Sequence, residues 1–430
     1  MNNRNTPDIN LNLNVRGLTQ SATLEINESS NRLKKEGKKI YKLGLGQSPF
    51  PVPQSVVNEL KENAYQKDYL PVKGLHALRE TIAGYYRKTQ GLEHTFEDVL
   101  TGPGSKELMF LLQLVYYGDI LIPTPSWVSY APQAHIIGRH VRWINTHPEF
   151  SWKIIPEKLE ELCHTDPNKP RIVILNYPSN PTGVTYTKDE LKEIAMVARK
   201  YKLILLSDEI YGELNFKGEH ISIARYYPEG TIISSGLSKW CGAGGWRLGT
   251  FTFPSGLRWL LNSMAVVASE TFTSTSTPIQ YAAVKAFEKE ADIEEYLKYC
   301  RKILSILGNK ITNMLKEAGV SVAQPEGGFY IFPDFSSFRE KLFEKKIITS
   351  HGLCSVLLEE TGVAALPGSS FGRPENELTM RLAYVDFDGT RIMNAVHNMN
   401  GNENIDDNFI NVYCENVITA VSLICNWIKT

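Results

Sequence analysis

Residues 172–208 read IVILNYPSNPTGVTYTKDELKEIAMVARKYKLILLSD. The runs Ile172-Val-Ile-Leu and Leu203-Ile-Leu-Leu are apolar at every position rather than at alternate ones, the pattern of strands covered on both faces. Between them, Lys188–Tyr201 is rich in Lys, Glu and Ala and predicts a helix. Strand, helix and strand in that order form a βαβ unit, whose strands run parallel.

Further strand candidates are Val99-Leu-Thr, Ile120-Leu-Ile, Val141-Arg-Trp-Ile, Thr231-Ile-Ile and Leu248-Gly-Thr-Phe-Thr-Phe. An apolar helix, Glu107–Tyr117, follows Gly102-Pro-Gly-Ser. The expected fold is therefore α/β, with a mostly parallel, doubly wound sheet that binds ligands at the carboxyl ends of its strands. A helix over Ser21–Lys35, with Ala22, Ile26 and Leu33 on one face, follows an Asn-rich arm containing Ile9-Asn-Leu-Asn-Leu-Asn-Val. A charged helix from Ile293 to Ala318 leads into a part that mixes strands (Phe329-Tyr-Ile-Phe, Met380-Arg-Leu-Ala-Tyr) with helices. A polar loop, 400–408, precedes a final amphipathic helix, Phe409–Ile428.

At 430 residues the chain exceeds one ordinary core, so two domains are expected. Lys and Arg total 46 against 47 Asp and Glu, a balance with no electrostatic footprint for nucleic acid or an anionic membrane. The 6 cysteines are scattered without a C-x-x-C pair, so neither a metal site nor a disulfide framework is expected. Reduced thiols, a polar start (Met1-Asn-Asn-Arg-Asn) and no apolar run of about 20 residues point to a cytoplasmic protein.

The chemistry-bearing stretches fall where predicted strands end. Thr231-Ile-Ile runs into Ser234-Ser-Gly-Leu-Ser238-Lys239-Trp-Cys-Gly-Ala-Gly-Gly-Trp-Arg247, a loop whose glycines open space around one lysine. A Schiff-base lysine needs such a loop, and a nearby arginine can grip a phosphate. Asn176-Tyr-Pro-Ser-Asn180-Pro-Thr-Gly is a turn whose Asn180 amide can donate to an anionic oxygen. Asp208-Glu-Ile-Tyr211 ends a buried strand; its aspartate either meets a cation or caps a helix. In Gly102-Pro-Gly104-Ser105-Lys106, a strand passes into a helix, so free N–H groups face an anion. Trp127, in Pro125-Ser-Trp-Val-Ser-Tyr, is either core or a stacking platform.

Together with Gly44-Leu-Gly46-Gln, Asp68-Tyr69-Leu-Pro-Val-Lys73-Gly, Pro367-Gly-Ser-Ser-Phe-Gly and Met380-Arg381-Leu-Ala-Tyr, these motifs resemble the class I/II aminotransferases. That family comprises pyridoxal-phosphate (PLP) enzymes of fold type I, within the aspartate aminotransferase superfamily. The motifs occur in the family's order from Gly46 to Arg381. The resemblance implies a large PLP-binding domain (56–309), a smaller α+β domain (21–55 with 310–430) and an arm (1–20). It gives Lys239 the Schiff base and the proton transfer, Asp208 the pyridine nitrogen, and Asn180 and Tyr211 the ring oxygen. Gly104, Ser105, Lys106, Ser238 and Arg247 would hold the phosphate, Trp127 would stack on the ring, and Gly46, Asn180 and Arg381 would bind the substrate, its carboxylate lying at Gly46 and Arg381. Tyr69 would reach the phosphate of a neighbouring subunit, which implies a homodimer with shared active sites. The implied reaction moves an amino group from an L-amino acid to a 2-oxo acid by a ping-pong mechanism.

Two departures stand out: glycine at 236, where some relatives have serine, and Ala243-Gly-Gly near the phosphate arginine. The alternatives are another PLP reaction on the same fold (C–S lyase, synthase or racemase) or a sensor, for which a DNA-binding domain would be expected in front. The amino donor stays open. Lys73 is a candidate second cation from the partner subunit, while Trp127, Tyr130 and Trp246 suit apolar or aromatic side chains.

Overall fold

The computed structural model describes residues 10–16, 22–399 and 404–430. The rest of the predicted arm, Ser21, residues 400–403 of the polar loop and the side chains of residues 22–25, Ala22 among them, lie outside the described residues. The strands in chain order are β1 (Tyr41–Lys42), β2 (Val99–Gly102), β3 (Asp119–Thr124), β4 (Val141–Asn145), β5 (Arg171–Asn176), β6 (Ile204–Asp208), β7 (Thr231–Gly236), β8 (Gly249–Thr252), β9 (Tyr330–Ile331), β10 (Val363–Ala364), β11 (Leu366–Pro367) and β12 (Met380–Ala383).

Seven of them form one sheet in the order β2-β8-β7-β6-β5-β3-β4. The five strands from β7 to β4 in that order pair in parallel, and β8 runs antiparallel to both its neighbours. The continuous apolar runs serve two cores. Ile172, Ile174, Ile204 and Leu206 pack into the core on one face, and Val173, Leu175, Leu203 and Leu205 into the core on the other. The intervening helix, Lys188–Lys200, is fixed at its start by a capping box in which Thr187 and Glu190 exchange hydrogen bonds.

Register places the working ends of three neighbouring strands at one level: Asn176 lies opposite Asp208, and Asp208 opposite Ser234. Outside this sheet, β9, β11 and β12 form an antiparallel trio and β1 pairs in parallel with β10.

Two helices differ from expectation. The one after Gly104 spans Ser105–Val115, starting two residues before the predicted Glu107. Its first turn thus places backbone donors at Ser105 and Lys106. The predicted final helix is two, Asp407–Tyr413 and Glu415–Lys429, bent by 94°. Cys414 leaves helical geometry at the bend, and Asp406 caps the first piece. The turn lets Ile410 and the Val417, Val421, Ile424 face enter the same core, beside helix Ala291–Glu317. Among the described residues no single helix is long and apolar enough to cross a membrane; of the bent pair, the second helix buries its Val417, Val421 and Ile424 face, while Ile410 is the buried residue of the first.

A buried ion cluster ties the segment after β6 to that long helix. Glu213 accepts from Tyr85 and from Arg301 Nη2 at 3.0 Å, with Lys289 Nζ 2.8 Å away. Against the cost of burial, these partners hold the Glu213 carboxyl down at about 2. Its contribution is complete above the ordinary carboxylate range and is lost as pH falls from about 5 towards 2. Glu213→Ala strands two buried cations and is expected to cost about 3–5 kcal/mol in urea unfolding at pH 7. A loss below about 1 kcal/mol would show that the cluster is not a brace.

Candidate active site

The site begins at the shared level of β5, β6 and β7. Asn176 binds both ways: its Nδ2 donates to the Asp208 carbonyl at 2.9 Å and its Oδ1 accepts from Asn180 N at 2.7 Å. This fixes the turn that presents Asn180. Asp208 is buried and accepts from Tyr130 Oη at 2.6 Å and Ser234 Oγ at 3.3 Å. Burial outweighs these donors and lifts its carboxyl to about 6. No helix begins at Asp208; a 3-10 turn, Gly212–Leu214, comes next, so the capping alternative is excluded. Among the described residues no cation pairs with Asp208, leaving room for one positive donor.

Lys239 follows β7 by three residues. Its Nζ donates to the Gly46 carbonyl at 2.7 Å and lies 5.7 Å from the centre of the Tyr211 ring. Tyr211 is buried, its hydroxyl 2.8 Å from that of Tyr330.

The loop from β2 into helix Ser105–Val115 and the turn before β8 make a cradle. Arg247 holds a left-handed φ of 57°, rare for a side chain of its kind, and donates to Gly244 O at 3.0 Å and Pro103 O at 3.2 Å. Such strain persists where surrounding structure enforces it and points to function. Gly104 has φ 95°, and a Cβ there would lie 2.1 Å from Arg247 Nη2. The guanidinium thus sits directly over the N–H groups that open the helix, which have no acceptor within it.

Arg381 comes from β12, outside the large sheet, yet is buried in the same cleft. Its Nη1 donates to Asn180 Oδ1 at 3.2 Å and its Nη2 to Gly44 O at 2.5 Å. Burial pulls the guanidinium below its usual value, and its Nε has no partner among the described residues. A desolvated cation without a carboxylate is primed for an anionic ligand.

These groups line one cleft of about 620 Å³. Gly46, Ser105, Lys106 and Trp127 line it, as do Asn180, Asp208, Tyr211, Ser238, Lys239, Arg247 and Arg381. Trp127 is half-buried, packing against the core on one side and lining the cleft on the other. Gly104 lies beneath Arg247. Tyr69 is 88% exposed and does not line the cleft of its own chain. Neither do Lys73 or Trp246; the latter packs against the core. Sequence reasoning missed Asn176 and Ser234, which the register of adjacent strand ends marks. It took Tyr130 for a wall aromatic rather than the donor to Asp208, and it had no signal for Tyr330, 119 residues beyond Tyr211.

The donor set fits a phosphate ester of a pyridine aldehyde. A primary amine and an uncompensated buried carboxylate share the cleft with a cradle of N–H groups and arginine. A family model described as aminotransferase class I and II matches residues 38–388. The chain belongs to this family.

Among relatives of this aminotransferase, the aspartate aminotransferase of Bacillus sp. (strain YM-2) is 34% identical over 381 residues, covering 86% of this chain and 93% of that one. The asparagine–oxo-acid transaminase of Streptococcus mutans is 32% identical, covering 85% and 92%. The Thermus thermophilus aspartate aminotransferase solved with maleate superposes with a TM-score of 0.82 at 26% identity, covering 97% of this chain and 100% of that one. The fold is therefore fold type I. The chain is an aminotransferase, and the lyase, synthase, racemase and sensor alternatives fall away.

Proposed function

We propose that this aminotransferase holds pyridoxal 5′-phosphate in the 620 Å³ cleft and uses a dicarboxylic amino acid as its preferred amino donor. The observation that carries the first part is the convergence of Lys239, the cation-free Asp208 and the anion-binding cradle at Arg247. When bound, the cofactor supplies a carbonyl and an electron-withdrawing ring that make the α-proton of an attached amino acid acidic.

This chain's residues do the rest. The N–H groups of Ser105 and Lys106, the Ser238 hydroxyl and Arg247 hold the phosphate. Trp127 would stack on the ring. Asp208 keeps a proton on the pyridine nitrogen, and that proton in turn favours the ionised carboxylate. Tyr211 and the Asn180 amide donate to the ring oxygen. Because Arg381 occupies Asn180 Oδ1, the amide must turn its Nδ2 towards the cleft. Arg381 would take the substrate α-carboxylate beside the Gly46 backbone, and the Lys239 amine would take the proton from the substrate Cα and hold it for return.

The donor reading rests on charge. The cleft is lined by four cations (Lys106, Lys239, Arg247, Arg381) and one carboxylate, Asp208. Amine chemistry, phosphate and α-carboxylate occupy three of the cations. The fourth, Lys106, has its ammonium 5.2 Å from the Trp127 ring centre and pairs with no carboxylate among the described residues. Burial, with Arg247 and Lys239 nearby, pulls it below its usual value. A second substrate carboxylate would relieve that. The names of the relatives, and the maleate of one, are consistent with it.

A panel of amino donors with 2-oxoglutarate or pyruvate as acceptor, read together with formation of the pyridoxamine form, tests both parts. Lys106→Met is expected to reduce kcat/KM for aspartate by roughly 30-fold or more, the scale of one lost charge-assisted contact (about 2 kcal/mol), and that for an apolar donor far less. Equal losses for both donors would place Lys106 on the phosphate alone.

We also propose a cytoplasmic homodimer in which the exposed Tyr69 serves the neighbouring subunit's phosphate. Residues 56–309 would form the cofactor domain and 21–55 with 310–430 the smaller one.

A further inference from the structure

Tyr330 carries no role in the chemistry above, yet it touches three parts of the site at once. It stands in β9, paired with Ala383 of β12, and is 1% exposed. Its hydroxyl lies 2.8 Å from the Tyr211 hydroxyl and 3.4 Å from the Gly46 carbonyl. Its ring lies under the Arg381 guanidinium, 4.8 Å from ring centre to Cζ. Gly46 is shaped around it: a Cβ at 46 would lie 1.9 Å from the Tyr330 oxygen.

A phenol has one proton to give and can also accept. The Gly46 carbonyl already accepts from Lys239 at 2.7 Å, so the shorter contact, to Tyr211, is the better use of the Tyr330 proton. With Tyr330 donating, the Tyr211 oxygen is satisfied as an acceptor and its own proton is released towards the cleft. Hydrogen bonds in such a chain polarise one another in a water-excluded site. The ring below Arg381 meanwhile limits where the guanidinium plane can lie, through cation–π attraction. The charged and titratable groups around the hydroxyl are Tyr211, Lys239 and Arg381, with Asp208 beyond Tyr211.

We propose that Tyr330 is a positioning residue with two separable parts: its hydroxyl aims the Tyr211 proton at the cofactor's ring oxygen, and its ring sets the plane of Arg381 for the substrate carboxylate. This rests on the reading of the cleft as a pyridoxal-phosphate site. A donor aimed at the ring oxygen stabilises the unprotonated chromophore, so losing that aim raises the pH at which the chromophore takes up a proton.

The experiment compares wild type, Tyr330→Phe and Tyr330→Leu, each loaded with pyridoxal phosphate. The readouts are the pH midpoint of the cofactor absorption and the Kd of a non-reacting dicarboxylate, succinate. Tyr330→Phe is expected to raise the midpoint by about one pH unit, a tenfold change in proton affinity, with the succinate Kd within twofold of wild type. Tyr330→Leu is expected to raise the midpoint similarly and to weaken succinate about tenfold. A Phe variant that binds cofactor with an unmoved midpoint overturns the hydroxyl's role, and a Leu variant that binds succinate like wild type overturns the ring's. If either variant fails to fold, Gly46→Ala, which presses on the hydroxyl from the other side, must show the raised midpoint. Wild-type protein that takes up no pyridoxal phosphate would refute the cofactor reading instead.

Discussion

Lys239→Ala is expected to remove transamination to the limit of detection, at least about 10⁴-fold, while the folded variant still binds pyridoxal phosphate weakly. The size follows from the double task placed on one amine. In the proposed reading it would anchor the cofactor and, once displaced, move the α-proton, a step for which general base catalysis alone contributes about 10²–10⁴-fold. No other lysine is expected to substitute: of the cations among the residues lining the cleft, Lys106 is the one other lysine, and its ammonium lies over the Trp127 ring. Phosphate binding survives because Arg247 and the helix start at Ser105 do not depend on Lys239. Borohydride reduction of the loaded wild-type protein followed by peptide mapping should place the pyridoxyl group on Lys239. Label on Lys106, or more than a few per cent of wild-type turnover in the variant, would overturn the assignment.

Asp208→Asn is the second large effect. The amide keeps the shape and the contact with Tyr130 but loses the charge that retains a proton on the ring nitrogen. A loss of about 3–4 kcal/mol in the transition state, a few hundred-fold in kcat, is the scale for removing a preorganised electrostatic partner. The same residue predicts a pH signature. Burial raises Asp208 from 3.8 to about 6, so its neutral form is favoured by folding. In cofactor-stripped protein that contribution is fully present below about 4 and is lost as pH rises through 6, a swing of about 3 kcal/mol. Bound cofactor should cancel it, because the ring N–H⁺ supplies the missing cation. The stabilisation conferred by cofactor should therefore grow between pH 5 and pH 8 in wild type and stay flat in Asp208→Asn. Identical pH dependence in both proteins would mean that Asp208 does not face the ring nitrogen.

Much of the fold was legible because it is written in local patterns. The unbroken apolar runs at Ile172 and Leu203 could only be strands with both faces covered, and the two cores that flank the sheet are the reason. The site was legible for a related cause: strand-end motifs such as Asp208 and Lys239 are placed by the sheet itself. What escaped depends on contacts between distant segments. Tyr330 reads as one more aromatic in Phe329-Tyr-Ile-Phe, and its meeting with Tyr211 and Gly46 is fixed by packing that no periodicity encodes. The break at Cys414 escaped for a similar reason. The hydrophobic pattern of 409–428 continues through it, and it is the long helix Ala291–Glu317 that makes a bend better than a straight rod. Lys106 was legible as a residue of the phosphate loop but not as an unpaired cation, because pairing is a property of the surroundings.

The bond from Arg381 Nη2 to Gly44 O spans 337 positions of the chain. By contrast, the groups of the same chain that are assigned to its cofactor's phosphate and ring nitrogen all lie between Gly104 and Arg247. The two halves of the cleft therefore mature at different moments of biosynthesis. As the polypeptide leaves the ribosome, the groups that a single chain would offer to the phosphate and ring nitrogen have emerged by β8, whereas the proposed grip on an amino acid must wait for β12. Cofactor capture ahead of substrate competence is the expected order, and a nascent enzyme would be loaded before it could turn over anything.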